Sequence, residues 1–200
     1  MAPTCSTDTG PATLTGAERA TLLETARASI RCGLAQGHPL AVTPAEFGAA
    51  LKAMRASFVT LNRTGQLRGC IGHLEAYQPL IVDVAENAFA AAFRDPRFPP
   101  LTAAEYADLE VHVSVLSLPE PLTYTTEAQL LAQLRPGSDG LILQEGRHRG
   151  TFLPSVWESL PEPGEFLTQL KMKAGLAPNH WSDTLRVSRY TTESFGDGEA

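Results

Sequence analysis

The stretch "SFVTLNRTGQLRGCIG" (residues 57–72) has the pattern of a β-hairpin, because two short runs rich in strand-forming residues flank the turn sequence "RTGQ". Further runs of this kind follow: "EVHVSVL", then "LILQE" and "GTFLPSV" around "GRHR", and finally "TLRVSRYTT". Helical segments interrupt them irregularly. The sequence therefore predicts an α+β fold, in which an antiparallel or mixed β-sheet is flanked by helices.

Helix starts are indicated by threonine–glutamate pairs at the capping-box spacing: Thr15 with Glu18, Thr43 with Glu46, and Thr102 with Glu105. These pairs predict helices that begin near residues 16, 44 and 103. The run "LIVDVAENAFAAAF" after Pro79 predicts another helix, which ends before Pro96. A last helix is expected from about residue 165 to 174, with Gly175 as its left-handed cap.

Composition limits the class of protein. The 200 residues carry a formal net charge of −6, which opposes binding to nucleic acid, and no run is long and apolar enough to span a membrane. The first residues lack the pattern of a signal peptide, and three cysteines do not form a disulfide framework. We therefore expect a cytoplasmic protein with one domain over residues 13–195, between flexible tails at residues 1–12, which include Cys5, and 196–200.

Cys70 is the first candidate for a site residue. Strand alternation predicts that Leu67 and Ile71 mark the buried side of the strand, so that Cys70 shares the other face with Arg68 and Gly72. An arginine two residues away favours the thiolate if the two side chains approach each other. The competing interpretation is that Cys70 is a small apolar residue in a tightly packed strand.

His112 is a weaker candidate, as the imidazole partner of Cys70. Alternation in "EVHVSVL" places it on the polar face, whereas a continuous strand sends His73 to the face opposite Cys70. Cys70 and His73 offer only two metal ligands, so no metal site is expected, and no cofactor is evident. The motifs of serine hydrolases, phosphate loops and dinucleotide sites do not occur in the sequence.

The segment "DPRFPPLT" (residues 95–102) is the second candidate for a site wall, since its prolines make it rigid and Asp95 is placed to orient Arg68 or Arg97. Arg149, in the basic cluster between two glycines, belongs either to a solvated hairpin turn or to an anion contact. Trp181 is assigned to packing.

The order of four segments resembles one family. They are "LRGCIG", "DPRFPPLT", "VSVLS" (residues 113–117), and "GLIL" through "GTFLP" (residues 140–154). Together they are similar to the AMMECR domain and to the proteins called AmmeMemoRadiSam system protein A. The resemblance implies an α+β domain with a smaller second lobe. It also implies that the protein functions together with two partners, a Memo-like protein and a radical S-adenosylmethionine protein.

The resemblance implies a site formed by the residues that match its two main motifs. These are Arg68, Gly69, Cys70 and Gly72 in the first motif, and Asp95, Arg97, Phe98, Pro99 and Pro100 in the second. Ser114, Arg149, Pro154 and Lys173 also fall on matching segments. His73 departs from the family pattern, in which threonine often follows "CIG". Two functions stay open, since the family has no securely established reaction. The chain is a binding or accessory subunit that presents this surface to a partner or a small ligand, or it is a cysteine-dependent enzyme that uses Cys70 near Arg68.

Overall fold

The computed structural model describes residues 13–197 and divides the chain into two compact units. The first unit comprises residues up to Val115 together with those from Glu193, and the second comprises Leu116–Thr192. Cys5 and the expected tail at residues 1–12 lie outside the described residues. Within the described part, no helix is both long and apolar enough to cross a membrane.

The first unit is built on a four-stranded sheet with the strand order β2-β1-β3-β8. Its strands are β1 (Ser57–Arg63), β2 (Gln66–Gly72), β3 (Leu109–Leu116) and β8 (Thr192–Gly196), and its helices are α1 (Gly16–Gln36), α2 (Ala49–Lys52) and α3 (Leu80–Phe93). The hairpin of β1 and β2 is the one expected from the sequence, with Thr64 and Gly65 at positive φ in its turn. The strand β8 includes Gly196, which the sequence assigns to a tail.

One face of this sheet is covered by helix and forms the core. Alternate residues of β1 and β3 are fully buried with apolar residues of α1 and α3. Gly69 permits the close approach of β2 to α3, because a Cβ at this position would lie 2.1 Å from the carbonyl oxygen of Ala91. The other face of the sheet, which we call the outer face, carries Thr60 and His112.

The second unit contains a separate four-stranded sheet, of order β4-β7-β5-β6. Its elements are β4 (Glu120–Pro121), α4 (Glu127–Leu131), β5 (Gly140–Glu145), β6 (His148–Phe152), α5 (Pro163–Lys173) and β7 (Arg186–Tyr190). Its core is formed by leucines with Trp157 and Phe166, whose rings stack at 3.8 Å. Within residues 13–197 both sheets are antiparallel, which confirms the predicted α+β class.

Only one of the three predicted capping boxes begins a long helix. Thr15 and Glu18 form both reciprocal hydrogen bonds at the start of α1. After Thr43 there is a single 3₁₀ turn, Pro44–Glu46, because the chain becomes extended at Phe47. After Thr102 the chain forms the 3₁₀ turn Tyr106–Asp108 directly before β3, which leaves no room for a longer helix.

Candidate functional site

The main chain of Cys70 is held by an aspartate–arginine pair. β2 is an edge strand, and the Cys70 N–H donates to Asp95 Oδ2 at 2.9 Å. The Cys70 carbonyl accepts from Arg97 Nη2 at 3.2 Å, while the same guanidinium donates to Asp95 at 2.7 and 2.9 Å. The pair thus takes the place of a neighbouring strand at Cys70 and fixes this peptide from its open side.

Electrostatics strengthen this arrangement. The Asp95 side chain is 1% exposed, whereas that of Arg97 is 54% exposed. Hydrogen bonds from the Arg97 side chain, and to a lesser extent from the Cys70 main chain, hold the pKa of Asp95 well below its usual range against the opposing effect of burial. The same pairing with Asp95 raises the pKa of Arg97, with a smaller contribution from the nearby Cys70 sulfur. Asp95 therefore orients Arg97, one of the two arginines proposed from the sequence.

Cys70 lies on the outer face, and the residue is partly buried. Within residues 13–197 the hydrogen-bonding partner of its sulfur is the Thr60 hydroxyl, at 3.2 Å. Thr60 lies opposite Cys70 on one side and opposite His112 on the other, so the three residues form one row across the sheet. Two strand spacings separate Cys70 from His112, about 10 Å. Alternation thus placed His112 on the correct face, but Thr60 stands between the two members of the proposed pair.

A β-bulge changes the predicted faces of β2. The register shifts between Leu61 and Asn62, so that Gly69 is opposite Leu61 and Leu67 is opposite Asn62. Arg68 is the extra residue. The prediction that Leu67 marks the buried side is therefore wrong, because Leu67 is 44% exposed.

Arg68 is buried and bonded away from the sulfur. Its guanidinium donates to Glu105 at 2.8 and 3.2 Å and to the Pro99 carbonyl at 3.0 Å. These bonds from Arg68, together with those from Thr102, lower the pKa of Glu105 to about 2. Within the described residues, Arg97 is the arginine that contacts Cys70. The sequence-based choice of Arg68 as its neighbour does not match this geometry, because the bulge turns Arg68 toward Glu105.

The remaining predicted residues divide between the two units. Phe98 lies near both arginines, with its ring centroid 5.8 Å from Arg68 Cζ and 5.5 Å from Arg97 Cζ. Gly72 packs closely against the ring of Phe58. Arg149 is an exposed residue of β6 in the second unit, opposite Gln144.

His73 belongs to a different polar cluster. Its Nδ1 lies 3.1 Å from Oδ1 of Asp83, a carboxylate on α3 that is 1% exposed. The Asp83 Oδ2 accepts from the N–H and hydroxyl of Ser57 and from Asn87. His73 therefore points toward α3, on the side opposite Cys70, as strand alternation predicts.

Sequence analysis missed two residues that complete the Cys70 site. Thr60 could have been found, since the hairpin pattern places it near the middle of β1, but no motif marks it. Glu105 was assigned only to a capping box. It does accept from the Thr102 N–H at 2.9 Å, and it also binds the buried Arg68, which no local pattern reveals.

Comparison with known proteins identifies the family. The family model AMMECR1 matches residues 23–195, a range that includes every residue of the Cys70 site described above. The chain belongs to the AMMECR1 family. A relative from Methanothermobacter thermautotrophicus is 40% identical over 184 residues, which cover 89% of this chain and 93% of the relative. One from Thermotoga maritima is 39% identical over 146 residues, covering 72% and 79%.

The AMMECR1 fold is also present in a solved structure. The crystal structure of an uncharacterised protein from Pyrococcus horikoshii is 34% identical, with a TM-score of 0.76, and the match covers 89% of this chain and 90% of that one. Both units of the chain therefore fall largely within a known architecture. The family resemblance drawn from "LRGCIG" and "DPRFPPLT" is confirmed.

Proposed function

We propose that this AMMECR1 protein is a binding or accessory subunit that presents the outer face around Cys70 to a partner. The proposal rests on the hydrogen bonds of the four charged side chains near Cys70, which bind one another or the main chain. Asp95 and Arg97 hold the Cys70 main chain, and Arg68 and Glu105 hold each other. Among the described residues, none of these four groups hydrogen-bonds the sulfur as a base would, so the arrangement favours rigid presentation over proton transfer.

The family resemblance indicates which proteins the partner would be. It implies a Memo-like protein, with a radical S-adenosylmethionine protein as the third member of the system. Leu67 supports a protein contact, since it is a large apolar side chain that is 44% exposed, three residues before Cys70 on the same edge strand.

The experiment is a calorimetric titration of the Memo-like protein from the same genome into wild-type chain, Leu67→Asp and Leu118→Asp. Leu118 is the matched control, a leucine of the second unit that is 60% exposed. We expect Leu67→Asp to weaken binding at least about tenfold, and Leu118→Asp to leave it unchanged. Failure of the two proteins to form a complex in titration and light scattering would refute the proposal.

Thiol chemistry is the second candidate, and one observation favours it. Cys70 is only partly buried, its sulfur accepts a hydrogen bond from the Thr60 hydroxyl, and it lies on the same face of the sheet as His112. In this alternative, Cys70 is a nucleophile or covalent attachment point. It requires that Cys70 alkylate faster than Cys5 and that Cys70→Ser and Cys70→Ala both abolish the cellular function while folding persists. Retained function in both variants would exclude it.

A further inference from the structure

The second unit contains a pocket whose volume is about 430 Å³. Its wall is formed by residues 122–125, by a loop that includes Trp181 and Asp183, and by Arg186 at the start of β7. This volume is within the range of small-molecule sites in proteins, roughly 300–1,000 Å³. All lining residues belong to the second unit, and none of them is a residue of the Cys70 site.

Two aromatic rings give the pocket an apolar surface. The rings of Tyr124 and Trp181 have their centroids 5.6 Å apart at an angle of 51°, and both residues are partly exposed. Lys171 supports Trp181 with its ammonium group 5.8 Å from the ring centroid, and this buried ammonium is paired with Glu127 at 2.8 Å. A planar group that enters the pocket would therefore meet a polarised aromatic surface.

Opposite charges line the same pocket. Arg186 and Asp183 are both exposed, and Arg186 Nη1 donates to the Asp183 carbonyl at 2.7 Å and to the Leu185 carbonyl at 3.1 Å. These two bonds hold the guanidinium beside the residue that carries the carboxylate. Arg186 and Asp183 both line the pocket, so its wall contains one residue that can bind an anion and one that can bind a cation.

The loop is fixed before any ligand binds. The hydroxyls of Ser182 and Thr184 donate to the same oxygen of Glu145, at 2.6 and 2.7 Å. The Tyr124 hydroxyl donates to the Leu185 carbonyl at 2.9 Å. Because these bonds order a segment without regular secondary structure, binding there would cost little conformational entropy.

We propose that this pocket binds a small zwitterion that carries a planar ring, of the chemical class of the aromatic amino acids. The ring packs against Trp181 and Tyr124, the carboxylate binds Arg186, and the ammonium group faces Asp183. This assignment gives a function to Trp181, which sequence analysis treats as a packing residue.

The test is a ligand-observed NMR titration of the full chain with three probes. L-Phenylalanine carries both charges, 3-phenylpropanoate lacks the ammonium group, and 2-phenylethylamine lacks the carboxylate. We expect L-phenylalanine to bind most tightly. Arg186→Gln should weaken its binding about fivefold or more, as expected for a charge contact that is partly exposed to solvent.

Two further variants sharpen the assignment. Asp183→Asn should weaken the binding of L-phenylalanine but leave that of 3-phenylpropanoate unchanged. Arg147→Gln, an exposed arginine in the β5–β6 turn of the same unit, is the matched control and should have no effect. The proposal is overturned if no probe shows saturable binding up to about 10 mM, or if 3-phenylpropanoate binds as tightly as L-phenylalanine.

Discussion

Replacement of Asp95 by asparagine tests how the Cys70 main chain is held. Asparagine keeps the size of the side chain but replaces one acceptor oxygen by an NH₂ donor. Its single oxygen can still accept from the Cys70 N–H and from Arg97 Nη2, which both donate to Oδ2, but its NH₂ group then faces the Nε–H and main-chain N–H of Arg97, which donate to Oδ1 in the wild type. A hydrogen bond to a charged group contributes about 1.5–3 kcal/mol. Because Arg97 is half exposed and regains water, we expect the free energy of unfolding of the first unit to fall by about 2 kcal/mol.

The pH dependence gives a second, independent expectation. The folded state lowers the pKa of Asp95, so its stabilisation is present above the pKa of the unfolded chain, about 3.9, and is lost as the pH falls toward the lower folded-state value. Between pH 7 and pH 3 the free energy of unfolding of the wild type should fall by about 1 kcal/mol as Asp95 is protonated. The asparagine variant lacks this contribution at every pH. The stability difference between the two proteins should therefore narrow at low pH.

Amide hydrogen exchange is the appropriate assay, since both tryptophans, Trp157 and Trp181, lie in the second unit and their fluorescence reports that unit. A loss of 2 kcal/mol corresponds to exchange at the Cys70 amide that is about 30-fold faster. Asp108→Asn is the control, because the Asp108 side chain is 60% exposed and its removal should cost less than about 0.5 kcal/mol. Unchanged exchange at Cys70, or a stability difference that widens at low pH, would refute the reasoning.

Two other pairs of substitutions test packing and buried charge. Gly69→Ala should destabilise the first unit by about 2 kcal/mol or more in urea unfolding followed by circular dichroism, because its Cβ would clash with the Ala91 carbonyl. Gly48→Ala, where a Cβ meets nothing within 4 Å, should be close to neutral, and equal effects would contradict the packing argument. Lys171→Met should be neutral or stabilising by about 1 kcal/mol, whereas Glu127→Ala should cost about 3 kcal/mol because it leaves the buried ammonium unpaired. Fluorescence-monitored unfolding measures both, and the opposite order of stabilities would rule out this account of the pair.

Local patterns predicted most of the fold. The β1–β2 hairpin, α3 and the Gly175 cap follow from alternation, helical spacing and turn residues, all of which act over a few positions. These local patterns did not predict that Gly196 belongs to a strand. Gly196 continues β8 and lies against the His112 ring, and Asp197 binds Arg27 and the Val111 N–H, so pairing with distant elements orders this end of the chain.

The sequence motifs predicted which residues form the site, but not how their side chains are arranged. Cys70, Asp95 and Arg97 do come together, as expected from a rigid segment at residues 95–102 that forms a wall of the site. The bulge that buries Arg68 depends on the register of β1 against β2, and the Arg68–Glu105 pair joins residues 37 positions apart. Neither is encoded in the alternation of one strand, and for this reason Leu67 was assigned to the wrong face.

We propose that a partner binds the surface around Cys70. The most direct measurement is amide hydrogen exchange of the chain, alone and in complex with the Memo-like protein. We expect slower exchange in the complex for residues 66–72 and 95–101, with the rest of the first unit unchanged. Protection confined to other segments, or exchange that is identical with and without the Memo-like protein, would contradict it.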